Sequence, residues 1–150
     1  MWRSDSSARG YAGFTSWRRD EFGHFVGIRA VKKPLLAIID DDEALCSSLV
    51  DLMRSVGHLA EPFTSAEMFL GSHHLFKFDC IVADVHMPRM SGLELLRNLH
   101  KQGIMTPVIL ITALPDTQLD GDAISAGALC LLRKPFETEA LLGWVERSLV

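Results

Sequence analysis

Four apolar runs of this chain end in polar residues, and those residues could do chemistry together. Asp84 closes Cys80-Ile81-Val82-Ala83, a stretch too short for a free-standing helix and carrying β-branched side chains. It reads as a strand buried on both faces, as central strands of parallel sheets are. Asp40 and Asp41 follow the apolar run Leu35 to Ile39, Thr112 ends Pro107 to Ile111, and Lys134 follows Ala128 to Leu132. Carboxylates brought within a few ångströms raise one another's pKa unless a cation sits among them. A hard divalent ion with oxygen ligands, best matched by Mg²⁺, answers that need. An ionised aspartate is a feeble nucleophile, yet phosphoryl transfer has a loose transition state that positioning and charge neutralisation can serve. Asp84 is then the nucleophile, and Asp41, with Asp40 acting through water, holds the metal. Lys134 is a point charge for one phosphoryl oxygen, and the Thr112 hydroxyl closes on another, turning a local charge into a change of surface.

This chemistry requires all four strand ends to lie on one edge of a sheet, which is a demand on the elements between them. Leu45, Leu49, Leu52, Met53 and Val56 keep helical spacing until Gly57. Leu59 to Glu61 reads as a short strand, and Thr64-Ser65-Ala66-Glu67 has capping-box spacing before a short helix. Ser91-Gly92 opens a helix with Leu93, Leu96 and Leu99 inward and Glu94, Arg97 and Lys101 outward. Thr117 to Ala126 is a helix weakened by Gly121, at about 1 kcal/mol relative to Ala, and Thr138 caps a last helix carrying Leu141, Leu142, Val145 and Leu149. Five strands alternating with five helices give an α/β fold with a parallel sheet covered on both faces. Its carboxyl edge is where ligands bind in such sheets.

Composition narrows the function classes. A chain of 150 residues, 48% hydrophobic and 23% charged, has room for one globular domain. Residues 1–33 hold seven Lys and Arg against three acids, net +4, whereas residues 34–150 hold eight against sixteen, net −8. The acidic part argues against direct nucleic-acid binding. Cys46, Cys80 and Cys130 lack CxxC spacing and read as core residues of a reducing compartment. His24, His58, His73, His74, His86 and His100 share no metal-ligand spacing. No secretory signal or membrane-spanning window is present, so the expected location is cytoplasmic. Residues 1–33, rich in Ser, Arg and Gly at their start and without helical or strand period, are read as a flexible or disordered extension, and 34–150 as the folded domain.

The pieces Ile38-Ile39-Asp40-Asp41-Asp42, Asp84-Val85-His86-Met87-Pro88-Arg89-Met90-Ser91-Gly92, Ile111-Thr112-Ala113 and Lys134-Pro135-Phe136 together resemble the receiver domain of bacterial two-component response regulators. The similarity is greatest to the FixJ-like branch. The resemblance implies a flavodoxin-like (βα)5 fold with strand order 2-1-3-4-5 and a cis peptide between Lys134 and Pro135. It also implies phosphorylation of Asp84 by a sensor histidine kinase or phosphotransfer protein, with the backbone carbonyl of His86 as a further metal ligand. Implied partners are a downstream protein target and, on phosphorylation, a second copy in a dimer. Val150 follows the last helix directly, so the expected output is protein contact, in a signalling domain whose only catalysis is of its own phosphorylation and dephosphorylation.

Two departures from the pattern stand out: Leu131 occupies the family's aromatic switch position, and residues 1–33 match nothing in it. With a leucine there, the Ala113 to Asp116 loop and the Thr117 to Ala126 helix are expected to report phosphorylation more than Leu131 does. Two other readings compete. An aspartyl-phosphate phosphatase needs a second Asp two residues after the nucleophile, where this chain has His86. A pseudo-receiver that only docks partners would lack an acid or the lysine, and none is missing here.

Overall fold

The computed structural model describes residues 16–28 and 33–150. The chain divides into two compact units at Lys32/Lys33. In the first, β1 (Ser16–Arg19) and β2 (Phe25–Ile28) form an antiparallel hairpin with Ser16 opposite Ile28 and Arg19 opposite Phe25. The Asp20 carboxylate organises its turn, accepting from the amides of Phe22 at 2.9 Å and His24 at 2.8 Å, and Gly23 takes the left-handed conformation at φ +85°. The Arg19 guanidinium lies 5.1 Å from the centre of the Phe25 ring. The two strands within 16–28 are elements that the reading of a segment without strand period does not anticipate. Four-residue strands are too short to display alternation, and the signal lay in the Asp-to-Gly turn instead. Residues 1–15 and 29–32 of that expected extension lie outside the described residues.

The second unit runs β3 (Leu35–Ile39), α1 (Glu43–Ser55), β4 (Leu59–Phe63), α2 (Ala66–Leu70), β5 (Cys80–Asp84), α3 (Gly92–Lys101), β6 (Val108–Thr112), α4 (Thr117–Ser125), β7 (Cys130–Arg133) and α5 (Thr138–Ser148), with one 3-10 turn at Leu75–Lys77. All strand pairs are parallel, in the order β4-β3-β5-β6-β7. Counted within this unit, that is the expected order 2-1-3-4-5. Successive strand residues alternate between the faces of the sheet, so the core has two layers. Leu36, Ile38, Cys80, Val82, Ile109 and Ile111 pack with Leu49 and Met53 of α1 and Leu141 and Val145 of α5. Ala37, Ile39, Ile81, Ala83 and Leu110 pack on the other side with Phe69 of α2, Leu95, Leu96 and Leu99 of α3, and Leu119 of α4. The three cysteines are buried free thiols, all in the α1 and α5 layer.

Local chemistry sets the helix starts. Asp42, Ser65, Ser91 and Asp116 each accept a backbone N–H in the first turn of α1, α2, α3 and α4. The cap of α2 is therefore Ser65 rather than Thr64. Thr138 is not a cap either: it is the first residue of α5, and Glu137 before it makes no side-chain cap bond. On α3 the fully buried positions are Gly92, Leu95, Leu96 and Leu99, with Leu93 only flanking the core. The start at Gly92 puts the i, i+3, i+4, i+7 stripe one residue earlier than a reading that begins at the first leucine. β4 runs two residues further than expected, through Pro62, which an edge strand tolerates.

Candidate functional site

The carboxyl edge of β3, β5, β6 and β7 carries the residues singled out above. β5 and β6 are buried throughout and β3 from Leu36 on, β7 is buried at Cys130 and half-buried from Leu131 to Arg133, and each turns polar where it leaves the sheet. Asp40, directly after β3, is 2% exposed, and Asp84, the last residue of β5, is 8% exposed. Asp41 beside them is exposed. One carboxylate oxygen from each of the three lies within 4.8 Å of the others. The Lys134 ammonium, on the residue after β7, stands between the two buried acids, 3.7 Å from Asp40 Oδ2 and 3.8 Å from Asp84 Oδ2.

Backbone groups brace these side chains. Asp40 Oδ1 accepts from the Asp42 amide at 2.9 Å, and Asp84 Oδ1 from the His86 amide at 3.4 Å. Thr112 is fully buried, and its hydroxyl oxygen accepts from the Leu114 amide at 3.2 Å. The amide of Lys134 donates to the Thr112 carbonyl at 2.8 Å, and the Lys134–Pro135 peptide is cis. Asp40, Asp41, Asp84 and Lys134 are thus brought together. Thr112 reaches the same edge with its hydroxyl turned to its own loop, and His86 joins through its amide.

Electrostatics follow from burial. Desolvation holds the Asp40 carboxyl above the ordinary aspartate value of 3.8, and the charges of Asp84 and Asp41 push the same way, against the Asp42 amide and Lys134. Desolvation also raises Asp84, with Asp41 adding to the rise and Lys134 and the His86 amide opposing it. One ammonium among three carboxylates leaves the pocket net negative. A donor set made entirely of oxygen suits a hard divalent cation.

Gly92 belongs to the site although it carries no chemistry. A Cβ there would stand 2.4 Å from the Asp84 carbonyl oxygen and 3.0 Å from its carbon, while the Gly92 amide donates to Val85 O at 2.9 Å. The dipeptide Ser91-Gly92 is visible in the sequence as a helix start. Its contact with the back of Asp84 is not, because it depends on how α3 docks.

Residues 36–146 match the family model described as the response regulator receiver domain. The chain belongs to that family. Among curated relatives, the response regulator protein TodT of Pseudomonas putida is 39% identical over 115 residues, covering 77% of this chain and 51% of TodT. The transcriptional regulatory protein FixJ of Azorhizobium caulinodans is 41% identical over 112 residues, covering 75% and 53%. The chain therefore spans about half the length of the curated relatives it matches. Among solved structures, FixJ-N superposes with a TM-score of 0.72 at 34% identity, covering 79% of this chain and 94% of that one. The flavodoxin-like fold is shared with FixJ-N. Receiver domains are signalling domains, and binding of Mg²⁺ at an acidic pocket is typical of them. Among the described residues no helix is long and apolar enough to cross a membrane.

Proposed function

We propose that this receiver domain accepts a phosphoryl group on Asp84 from the phosphohistidine of a sensor histidine kinase or a phosphotransfer protein. The observation that carries the reading is the convergence of Asp84 with two further carboxylates and one lysine, at distances suited to a phosphoryl group and its counter-charge. An Asp84 carboxylate oxygen attacks phosphorus, the P–N bond to the donor imidazole breaks, and the ring, already protonated on its other nitrogen, keeps the bonding electron pair and leaves as neutral imidazole. Asp40, Asp41, Asp84 and the His86 carbonyl would hold Mg²⁺, which when bound supplies positive charge to offset the phosphoryl oxygens. Lys134 gives a second positive charge from the end of β7 on the same edge of the sheet. The Thr112 hydroxyl leaves the Leu114 amide to donate to a phosphoryl oxygen, and the loop after β6 moves with it.

The output is a change in protein contacts with a downstream target, in the cytoplasm, with dimerisation on phosphorylation as one form of it. The excess of acids over residues 34–150 disfavours direct contact between this domain and nucleic acid. His86 stands where a phosphatase of this chemistry would need a second acid.

Acetyl phosphate with Mg²⁺ should add one hydroxylamine-sensitive phosphoryl group, read by intact mass. Equal labelling of Asp84→Asn would sink the assignment.

A further inference from the structure

Arg133 takes no part in the scheme above, yet it makes three bonds to the segment that the scheme requires to move. It is the last residue of β7 and pairs in register with Thr112 across the β6–β7 ladder. Its side chain reaches back over the loop between β6 and α4. Nη1 donates to the Leu114 carbonyl at 3.1 Å, and Nη2 donates to the Asp116 carbonyl at 3.1 Å and to Asp120 Oδ2 at 2.7 Å. One planar cation thus holds two loop carbonyls and a carboxylate in the first turn of α4, whose N-cap is Asp116 itself. Leu114 is gripped from both sides, since its amide donates to the Thr112 hydroxyl while its carbonyl accepts from Arg133.

We infer that Arg133 is a positioning residue for Thr112, a latch that holds the Leu114 to Asp116 loop and the start of α4 in the resting arrangement. The inference rests on the Asp84 reading for what the loop moves toward. An exposed ion pair alone would contribute little. A guanidinium with three acceptors in fixed directions is different, because its geometry is satisfied in one loop arrangement and is lost when the loop shifts. A lysine cannot replace it, since a single ammonium lacks the planar fork. When a ligand binds only the shifted arrangement, its apparent affinity scales with the fraction of molecules already there. Removing bonds made only at rest raises that fraction, by roughly fivefold for one net hydrogen bond.

The test uses beryllofluoride with Mg²⁺ as the phosphoryl stand-in. It is titrated by calorimetry into the unmodified chain, Arg133→Ala, Arg133→Lys and Asp120→Asn, and amide exchange of residues 114–120 is followed without either reagent. Arg133→Ala should exchange faster across 114–120 and bind beryllofluoride roughly fivefold more tightly. Arg133→Lys and Asp120→Asn should fall between it and the unmodified chain, and they carry the test if Arg133→Ala does not fold. A purely structural role would loosen the loop and leave affinity unchanged or lower. Either of those results, or unchanged exchange in Arg133→Ala, overturns the latch. An unmodified chain that binds no beryllofluoride would instead remove the Asp84 reading, and the latch with it.

Discussion

At the scale of single residues, the pocket is built against itself. Asp40 and Asp84 are buried acids whose folded-state pKa is raised above the ordinary value. A carboxyl with a raised folded pKa binds more protons in the native state than in the unfolded one, so stability falls as pH rises from about 3.8 through the native value. The penalty is full above the native value and vanishes below the unfolded pKa. Asp84→Asn should therefore melt higher than the unmodified chain at pH 7 in chelator, with the gain shrinking as pH is lowered toward 3.8; equal melting at pH 7 would contradict the burial argument. Mg²⁺ should stabilise the unmodified chain by mass action. Asp41→Asn would remove one of the oxygen ligands proposed for the ion, and should shift a calorimetric Mg²⁺ titration to higher concentration. The acids, Thr112 and Lys134 could be picked out in the sequence because each lies within two residues of the end of an apolar run. Gly92 and Arg133 could not. A missing Cβ against Asp84 and a guanidinium lying across a loop 17 to 19 residues back exist only after the helices have docked.

At the scale of elements, strand positions were legible because buried parallel strands leave nearly continuous hydrophobic segments. Helix edges were less so. Thr64 and Thr138 have the chemistry of caps, and their neighbours Ser65 and Glu137 occupy those positions instead. Choice among adjacent candidates is decided by where the chain leaves the preceding strand, which no local rule contains. The hairpin of β1 and β2 was missed since its strands are shorter than any window in which a period can be read. Leu131 is half-buried in β7 against the α4 side of the core. α4 carries a helix-weakening glycine. Gly121 lies exposed on it, and a Cβ there would meet nothing within 4 Å. Gly121→Ala should add about 0.5–1 kcal/mol of stability, since it gains helix propensity without a steric cost. Thermal unfolding measures this, and a lowered melting temperature would show that the glycine is needed for a contact.

At the scale of the whole molecule, both core layers are drawn, among the described residues, from the span Leu35 to Leu149, and the family match spans 36–146. A chain starting at Lys33 should keep a cooperative melt and the far-ultraviolet circular dichroism of an α/β fold. Loss of cooperative unfolding would show that residues 1–32 complete the domain. The same core has a practical consequence for anyone wishing to watch the protein change shape. Burial pushes the Cys80 and Cys130 thiols up to about 11 and raises Cys46 as well. At pH 7 a thiol of that pKa is thiolate in on the order of one molecule in ten thousand, and all three sulfurs lie behind helices α1 and α5. The folded chain should stay unmodified by a maleimide at pH 7 and take up three equivalents in denaturant, as intact mass would report. A cysteine introduced at exposed Ile124 on α4 would then be the one reactive handle, so a single dye could be attached there without removing any native residue from the core.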